Sequence, residues 1–272
     1  LALLIASLVL LAASLLVLRQ LRAMFTTVLA LAVACWLIGN LAWLASGNIL
    51  PALPWWLAFL VLTIAAERLE LTRLLPTPLR AKRLFPLFVA VLLAGATLSL
   101  FTSVGLQVFA AGLLLLAGWL MTYDIARRNI HFKGITRYIA YALLGGYLWL
   151  AVAGLLGLNG AFEPGHVWRD AALHALGLGS VFSMVFGHAP IIFPAVARVK
   201  IPYHPVFYIP LLALHLSVIC RVAGGLEGWF QIRREAGLEN ALVLLLFIGV
   251  MLLSVWRGKR KPRQQEHKCG QR

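Results

Sequence analysis

The sequence predicts an all-α, polytopic transmembrane helix bundle of about nine helices, and three observations lead to that prediction. Of the 272 residues, 62% are hydrophobic and only 12% are charged, whereas soluble domains have roughly 45–50% apolar and about 25% charged residues. The mean hydropathy of the chain is +0.91. Apolar segments also recur at lengths near the ~20 residues that a helix needs to cross about 30 Å of hydrocarbon.

Nine such segments follow one another along the chain, and the stretches between them are too short to hold a soluble domain. The segments cover 1–18, 24–46, 55–75, 84–101, 104–123, 137–158, 168–197, 205–225 and 238–256. We therefore expect a single transmembrane helical domain over 1–256 and a basic cytoplasmic tail over 257–272.

The charges of the connecting segments predict the orientation in the membrane. The basic connections are 19–22, 67–83, 124–137 and 197–204, together with the tail. The alternate connections carry few or no basic residues, except that 227–240 is mixed. The basic connections therefore all fall on one side, and the positive-inside rule assigns that side to the cytoplasm. The N-terminus is then outside and the C-terminus cytoplasmic, in a bacterial inner membrane.

The same loops account for the net charge of +15. The lipid bilayer, rather than a nucleic acid, is therefore the partner that the charge predicts. The three cysteines, Cys35, Cys220 and Cys269, have no CxxC spacing and do not indicate a disulfide framework or a thiolate zinc site. No HExxH, GxSxG or phosphate-binding glycine motif occurs, which leaves open whether the protein is an enzyme.

Two histidines are predicted to lie inside the bilayer at similar depths. His174 lies about 9 Å below the outer boundary of its segment, and His215 about 15 Å above the inner boundary of the next one. Imidazoles buried in hydrocarbon are costly without a partner and are therefore functional-site candidates. Because the loop 198–204 that joins the two segments is short, both imidazoles could bind one iron or copper, or approach the two faces of a haem.

Two further polar residues belong to the same helices. His188 lies about 21 Å beyond His174 on one helix axis, so it is either a separate metal ligand or an interfacial anchor. Arg221 lies about 24 Å above the inner boundary. A cation at that depth is costly unless it is paired, so Arg221 is predicted to meet haem propionates or an acidic partner.

Other interpretations of these features stay open. The glycines of the sixth and seventh segments could serve only close helix packing. A proton or ion path is a rival explanation of the histidines, but none of the nine carboxylates lies in a helix centre. Glu67 and Glu70 are predicted to be interfacial and to pair with Arg68 or Arg73. His131, in a basic connection, is predicted to be solvated.

The stretch HALGLGSVFSMVFGHAP (174–190), followed by LHLSVICRVAG (214–224), resembles the NnrS family of polytopic bacterial membrane proteins. The resemblance covers about 137–225. The matching positions are His174-Ala175-Leu176, Gly177, Gly179, Gly187-His188 and Arg221-Val222, with Gly146, Tyr147 and Trp149 on the preceding helix. Where that family carries a histidine just before its Gly-Tyr, this chain has Leu144 and Gly145.

The resemblance implies a haem- and/or copper-binding protein linked to nitric oxide or respiratory electron chemistry. His174 and His215 would be the leading ligands, His188 a further metal ligand, and Arg221 a cofactor-binding residue. Respiratory-chain or other membrane subunits would be its partners. The alternative is a cofactor-free protein, either a transporter or an assembly subunit of a respiratory or metal-trafficking complex.

Overall fold

The computed structural model describes residues 1–73 and 75–259, and these residues contain helices and no strand. This confirms the all-α prediction. The α-helices are α1 Ala2–Gln20, α2 Met24–Ser46, α3 Leu53–Thr72, α4 Leu79–Leu98, α5 Val104–Tyr123, α6 Ala126–Asn129, α7 Ile135–Leu158, α8 Arg169–His174, α9 Ser183–Ala197, α10 Tyr208–Leu226 and α11 Phe230–Lys259. A π-helix, Ala175–Phe182, joins α8 to α9, and a short 3₁₀-helix, Pro205–Phe207, precedes α10.

Eight helical segments of the described ranges are long and apolar enough to cross a membrane. The chain is therefore a multi-pass membrane protein. Among the nine predicted segments, α3 is the one outside this set. Helix α3 is long enough to cross a membrane, but it carries Glu67, Arg68 and Glu70 within its length. These three charged residues are more than the other eight helical segments carry in their apolar stretches.

Two predicted helix starts are wrong by a turn or more. Helix α4 begins at Leu79 rather than at residue 84, and α11 begins at Phe230 rather than at residue 238. In both places the extra turns carry charged residues with good helix propensity, so the helix continues past the apolar stretch that marks the membrane. Residues 260–272 of the predicted tail lie outside the described residues.

Helix α7 is the centre of the bundle. It contacts α5, the π-helix, α9 and α10, while α2–α3, α4–α5 and α10–α11 form helical hairpins around it. Two hydrogen bonds fix α9 against it. The Tyr138 hydroxyl donates to the Phe186 carbonyl at 2.9 Å, and the Ser183 hydroxyl donates to the Ala142 carbonyl at 2.7 Å. These bonds set the register of the histidine-bearing segment on α7.

Several basic connections meet at one end of the bundle, which we call the basic end. A cavity of about 470 Å³ there is lined by residues 75–78 and by residues from 122 to 131. Gly134 lies close to the Tyr203 ring, and Gly258 close to the Lys200 backbone. The positive-inside rule predicts that this end faces the cytoplasm.

Candidate functional site

The segment that carries His174 and His188 changes its hydrogen-bonding pattern directly after His174. Sequence analysis predicted one uninterrupted helix, but α8 gives way to the π-helix Ala175–Phe182 before α9 begins. In the π-helix Gly179 lies against Trp149 of α7, so closely that a Cβ there would overlap the indole. π-helices are rare and frequently mark functional sites, so the residues next to Ala175–Phe182 are candidates for such a site.

His174 has one ring nitrogen engaged and one free. Its Nδ1 lies 2.7 Å from the carbonyl oxygen of Asp170. A carbonyl oxygen only accepts, so Nδ1 carries the proton and donates, and Nε2 keeps its lone pair. The side chain is 28% exposed, and a Cβ on Gly177, one turn further along, would meet no atom within 4 Å. The free lone pair therefore belongs to a partly buried side chain, with open space nearby at Gly177.

Arg221 of α10 pairs with Asp170, which confirms an acidic partner for this arginine. Its Nε and Nη2 donate to the two carboxylate oxygens at 2.8 Å each, and Nη1 donates to the Arg233 carbonyl at 2.8 Å. Every guanidinium nitrogen is thus already hydrogen-bonded. Asp170 Oδ1 also lies 3.4 Å from His174 Nδ1, so Arg221 holds the carboxylate that borders this imidazole.

The ion pair sets the relative depth of the two predicted ligands. Asp170 and Arg221 contact each other across neighbouring helices. From that contact His174 lies four residues, about 6 Å, further along its helix, and His215 lies six residues, about 9 Å, back along α10. The two histidines therefore have similar depths, measured from one shared contact.

His215 differs from His174 in its chemical state. The indole Nε1–H of Trp149 donates to His215 Nδ1 at 3.0 Å. An indole nitrogen only donates, so Nδ1 is the acceptor and the neutral ring carries its proton on Nε2. The ring lies against α7, where a Cβ on Gly145 would be 2.7 Å from both Nε2 and Cε1. His215 thus has no free lone pair in this arrangement, and a centre shared with His174 stays a prediction.

Within the described residues, no group of three or more His, Cys, Asp or Glu side chains could hold a metal ion. Any haem or copper at these residues would therefore depend on one or two imidazoles.

Residues 1–256 match the family described as "Domain of unknown function (DUF8744)". The chain belongs to this family. Neither a curated protein nor a solved structure matches it.

This DUF8744 chain has a second polar cluster near the basic end, which sequence analysis did not find. We call it the basic-end cluster, and its members are Glu67 and Arg68 of α3, Asp124 after α5, Tyr147 of α7 and His188 of α9. Arg68, Asp124 and Tyr147 are 3%, 2% and 0% exposed. Charged groups this deeply buried in a membrane protein are costly and generally functional.

Glu67 links two members of the basic-end cluster. Arg68 Nη2 donates to Glu67 Oε1 at 2.8 Å, and His188 Nε2 lies 3.4 Å from the same oxygen. His188 Nδ1 is 2.7 Å from the Met184 carbonyl oxygen, which only accepts, so Nδ1 carries a proton and donates it. Glu67 of this DUF8744 chain is thus shared between Arg68 and His188, and a metal at His188 stays a prediction.

Asp124 adds a second acid to the basic-end cluster. Burial raises the pKa of the Asp124 carboxyl above its ordinary 3.8, although the Ala126 N–H, the Arg68 charge and the Tyr147 hydroxyl each act to lower it. Its Oδ1 accepts from the Ala126 backbone N–H at 2.7 Å. The sequence places these charges at the ends of separate helices, and no local pattern in it signals that they meet.

Proposed function

We propose that this protein binds haem or copper in a bacterial inner membrane, with His174 as the ligand, and serves nitric oxide or respiratory electron chemistry. The observation that carries the proposal is the state of His174. Its Nδ1–H is bound to a backbone carbonyl and its Nε2 lone pair is free. Metal-ligating histidines usually donate their other ring N–H to a carbonyl or carboxylate, which fixes the tautomer and the ring orientation.

The surroundings of His174 fit an axial haem ligand better than a protein-only copper site. Asp170, held by Arg221, borders the imidazole at 3.4 Å and would raise its basicity. A copper ion would need further protein donors, and in the described part of the chain three such groups do not converge. A haem held by one imidazole supplies iron with an exchangeable axial position for a diatomic gas.

His215 lies at the position where this chain departs from the NnrS family pattern. Position 145 precedes the Gly-Tyr pair, where that family carries a histidine, and this chain has Gly145 there. The His215 ring, from another helix, fills the space in front of Gly145. An imidazole from another helix is thus present here, although Trp149 must release Nδ1 before that nitrogen can act as a ligand.

The second candidate function is the cofactor-free one, a transporter or an assembly subunit. The basic-end cluster favours a transporter, because buried acids, an arginine and a histidine in one place are typical of ion and proton pathways through membranes. This candidate does not need the free lone pair of His174.

An absorbance spectrum and metal analysis test the proposal. The full chain is expressed with haem and copper supplied, purified in detergent and compared with His174→Ala and His131→Ala at matched yield and elution volume. We expect a Soret band or stoichiometric copper in the unsubstituted protein, loss of most of it in His174→Ala, and no change in His131→Ala, the control at the basic end. Full retention in His174→Ala contradicts the assigned ligand, and a colourless, metal-free unsubstituted protein favours the cofactor-free candidate.

A further inference from the structure

The cavity of about 470 Å³ at the basic end, which we call the basic-end cavity, brings cationic side chains to one concave surface. It lies between the connection 75–78, which precedes α4, and residues 122–131, which include the end of α5 and the segment after it. Arg127 and Arg128 line it, and both residues are exposed. Ligand-binding cavities commonly have volumes of about 300–1,000 Å³, so this one has room for a small organic molecule.

The local structure after α5 presents the two arginines together. Asp124 Oδ1 accepts from the Ala126 backbone N–H at 2.7 Å and so satisfies the first N–H of α6, the single turn that contains both arginines. Arg127 Nη1 donates to the Thr122 carbonyl at 3.3 Å, at the C-terminal end of α5. This bond places one guanidinium group beside the basic-end cavity and uses only one of its three nitrogens.

Among the residues that the structure describes, no acid compensates these two charges. Arg127 and Arg128 form no ion pair there, although other arginines of the described chain do. Asp124 is the only acid among the described residues that line the basic-end cavity. It is 2% exposed, and inside the bundle it interacts with the Tyr147 hydroxyl and with the charge of Arg68. The basic-end cavity therefore presents two positive charges to whatever enters it.

The opposite wall of the basic-end cavity is short and stiff. Pro76 and Pro78 both line it, and their rings fix the backbone φ angle at these positions. Thr77 lies between them and also lines the cavity, while its backbone N–H donates to the Leu75 carbonyl at 2.8 Å. A wall that is ordered before a ligand arrives loses little conformational entropy on binding.

We propose that the basic-end cavity binds a phosphomonoester, with Arg127 and Arg128 as the residues that contact the phosphate. Guanidinium groups donate two parallel hydrogen bonds to phosphate oxygens, which makes arginine well suited to this group. A phosphomonoester carries a charge of about −1.5 to −2 at pH 7 and three acceptor oxygens. It therefore matches two neighbouring guanidinium groups better than a carboxylate does, since a carboxylate has one charge and two oxygens.

Two kinds of molecule bring this group to the basic end. One is a soluble organic phosphate, and the other is the phosphomonoester headgroup of an anionic lipid, since basic pockets at the cytoplasmic side of membrane proteins bind such headgroups. Both would use the same two arginines. The site uses no haem or copper and no part of His174, so it stands apart from the function proposed above.

The experiment uses two probes that carry the same phosphate chemistry, one soluble and one in a membrane. The full chain in detergent is titrated with glycerol 3-phosphate by calorimetry. The full chain from nanodiscs that contain phosphatidic acid is examined by native mass spectrometry for retained lipid. We expect saturable binding of at least one probe, and at least a fivefold loss of affinity or of the lipid-bound fraction in Arg127→Gln/Arg128→Gln. Binding of glycerol 3-phosphate alone assigns the site to a soluble ligand, and retention of phosphatidic acid assigns it to a lipid headgroup.

The matched control is Arg19→Gln/Arg22→Gln, which removes two arginines from another basic connection, outside the basic-end cavity. It should leave the binding of both probes unchanged. Equal losses in the two double variants would show attraction by net charge alone and overturn the proposal, as would the absence of binding of either probe to the unsubstituted protein.

A further variant tests the basic-end cavity without removing a charge. Thr77→Trp places a large ring in the cavity and leaves every arginine in place, so it should also reduce binding at least fivefold. This variant decides the question if Arg127→Gln/Arg128→Gln does not fold, as judged by its elution volume. Unchanged binding in Thr77→Trp overturns the proposal.

Discussion

The imidazole of His215 occupies the space that a side chain on residue 145 would need. Its Nε2 and Cε1 lie 2.7 Å from the position of a Cβ built on Gly145, and Trp149, four residues along α7, donates to its Nδ1. Helix α7 thus supplies both the gap and the hydrogen bond that hold His215. This arrangement makes the effects of substitutions at the three positions interdependent.

Gly145→Ala should displace the His215 ring. The new methyl group overlaps two ring atoms, and overpacking of this kind typically costs about 1–3 kcal/mol. In a His215→Ala background the same substitution should cost much less, because the ring is gone. Thermal unfolding of the four proteins of this double-mutant cycle measures the difference. Gly118→Ala, at a glycine whose Cβ would meet no atom within 4 Å, is the control, and equal costs of Gly145→Ala in both backgrounds would refute the overlap.

Trp149→Phe should release the Nδ1 lone pair of His215. The loss of the hydrogen bond is expected to cost about 1 kcal/mol, added to the cost of the smaller ring. The affinity for haem or copper should rise in this variant, because His215 Nδ1 becomes free to bind, as measured by titration with hemin or Cu²⁺. Trp119→Phe, which removes an indole bonded to the Ala81 carbonyl at 2.9 Å, is the matched control. An unchanged affinity in Trp149→Phe would leave His174 as the ligand candidate.

Arg221→Ala should destabilise the bundle by about 2–3 kcal/mol, because it leaves the Asp170 carboxylate without its charge-assisted hydrogen bonds. The Arg221→Ala/Asp170→Asn double variant should recover part of this loss. Arg73→Ala removes an exposed partner 3.8 Å from Glu70 and should cost less than about 1 kcal/mol. Equal losses for Arg221→Ala and Arg73→Ala would show that the Asp170 pair contributes no more than a surface contact.

Asp124→Asn should change how stability depends on pH. Burial raises the pKa of this carboxyl group in the folded protein above its ordinary 3.8. The folded state therefore binds the proton more tightly than the unfolded state. The contribution of Asp124 to the free energy of unfolding is fully present below pH 3.8 and is lost as pH rises through the raised pKa. Asn cannot ionise, so the variant should gain stability relative to the unsubstituted protein between mildly acidic and neutral pH. Unfolding curves across that pH range, with Glu70→Gln as control, measure the stability of each protein. A stability difference between Asp124→Asn and the unsubstituted protein that does not change with pH would contradict the raised pKa.

Reporter fusions test the predicted orientation. A reporter after Arg272 should be active in the cytoplasm, and one inserted in the 159–167 connection should be active in the periplasm, because the basic connections alternate with the neutral ones. The two positions should therefore give opposite signals. The same location for both would show that the number of membrane crossings between them is even rather than odd.

The amino-acid sequence by itself determined the class of the protein and most of its helices. Hydropathy and helix length depend on residues close together in the chain, so segments such as α2 and α5 were predicted with their observed ends, 24–46 and 104–123. The apolar signal disappears where a helix extends into charged residues, which explains why the start of α11 was predicted eight residues too late. The need of Arg221 for an acid was also predictable, since an unpaired charge at that depth is costly.

Only the tertiary structure decided which groups meet and in what chemical state. The tautomers of His174 and His215 depend on Asp170 and on Trp149, 66 residues away from His215. The basic-end cluster brings together Arg68, Asp124 and His188, whose separations in sequence conceal their proximity. Hydropathy measures how well each residue suits lipid, but hydrogen bonds and ion pairs depend on atoms within about 4 Å. Packing around α7 sets those distances, and with them which nitrogen is free to bind a metal or a proton.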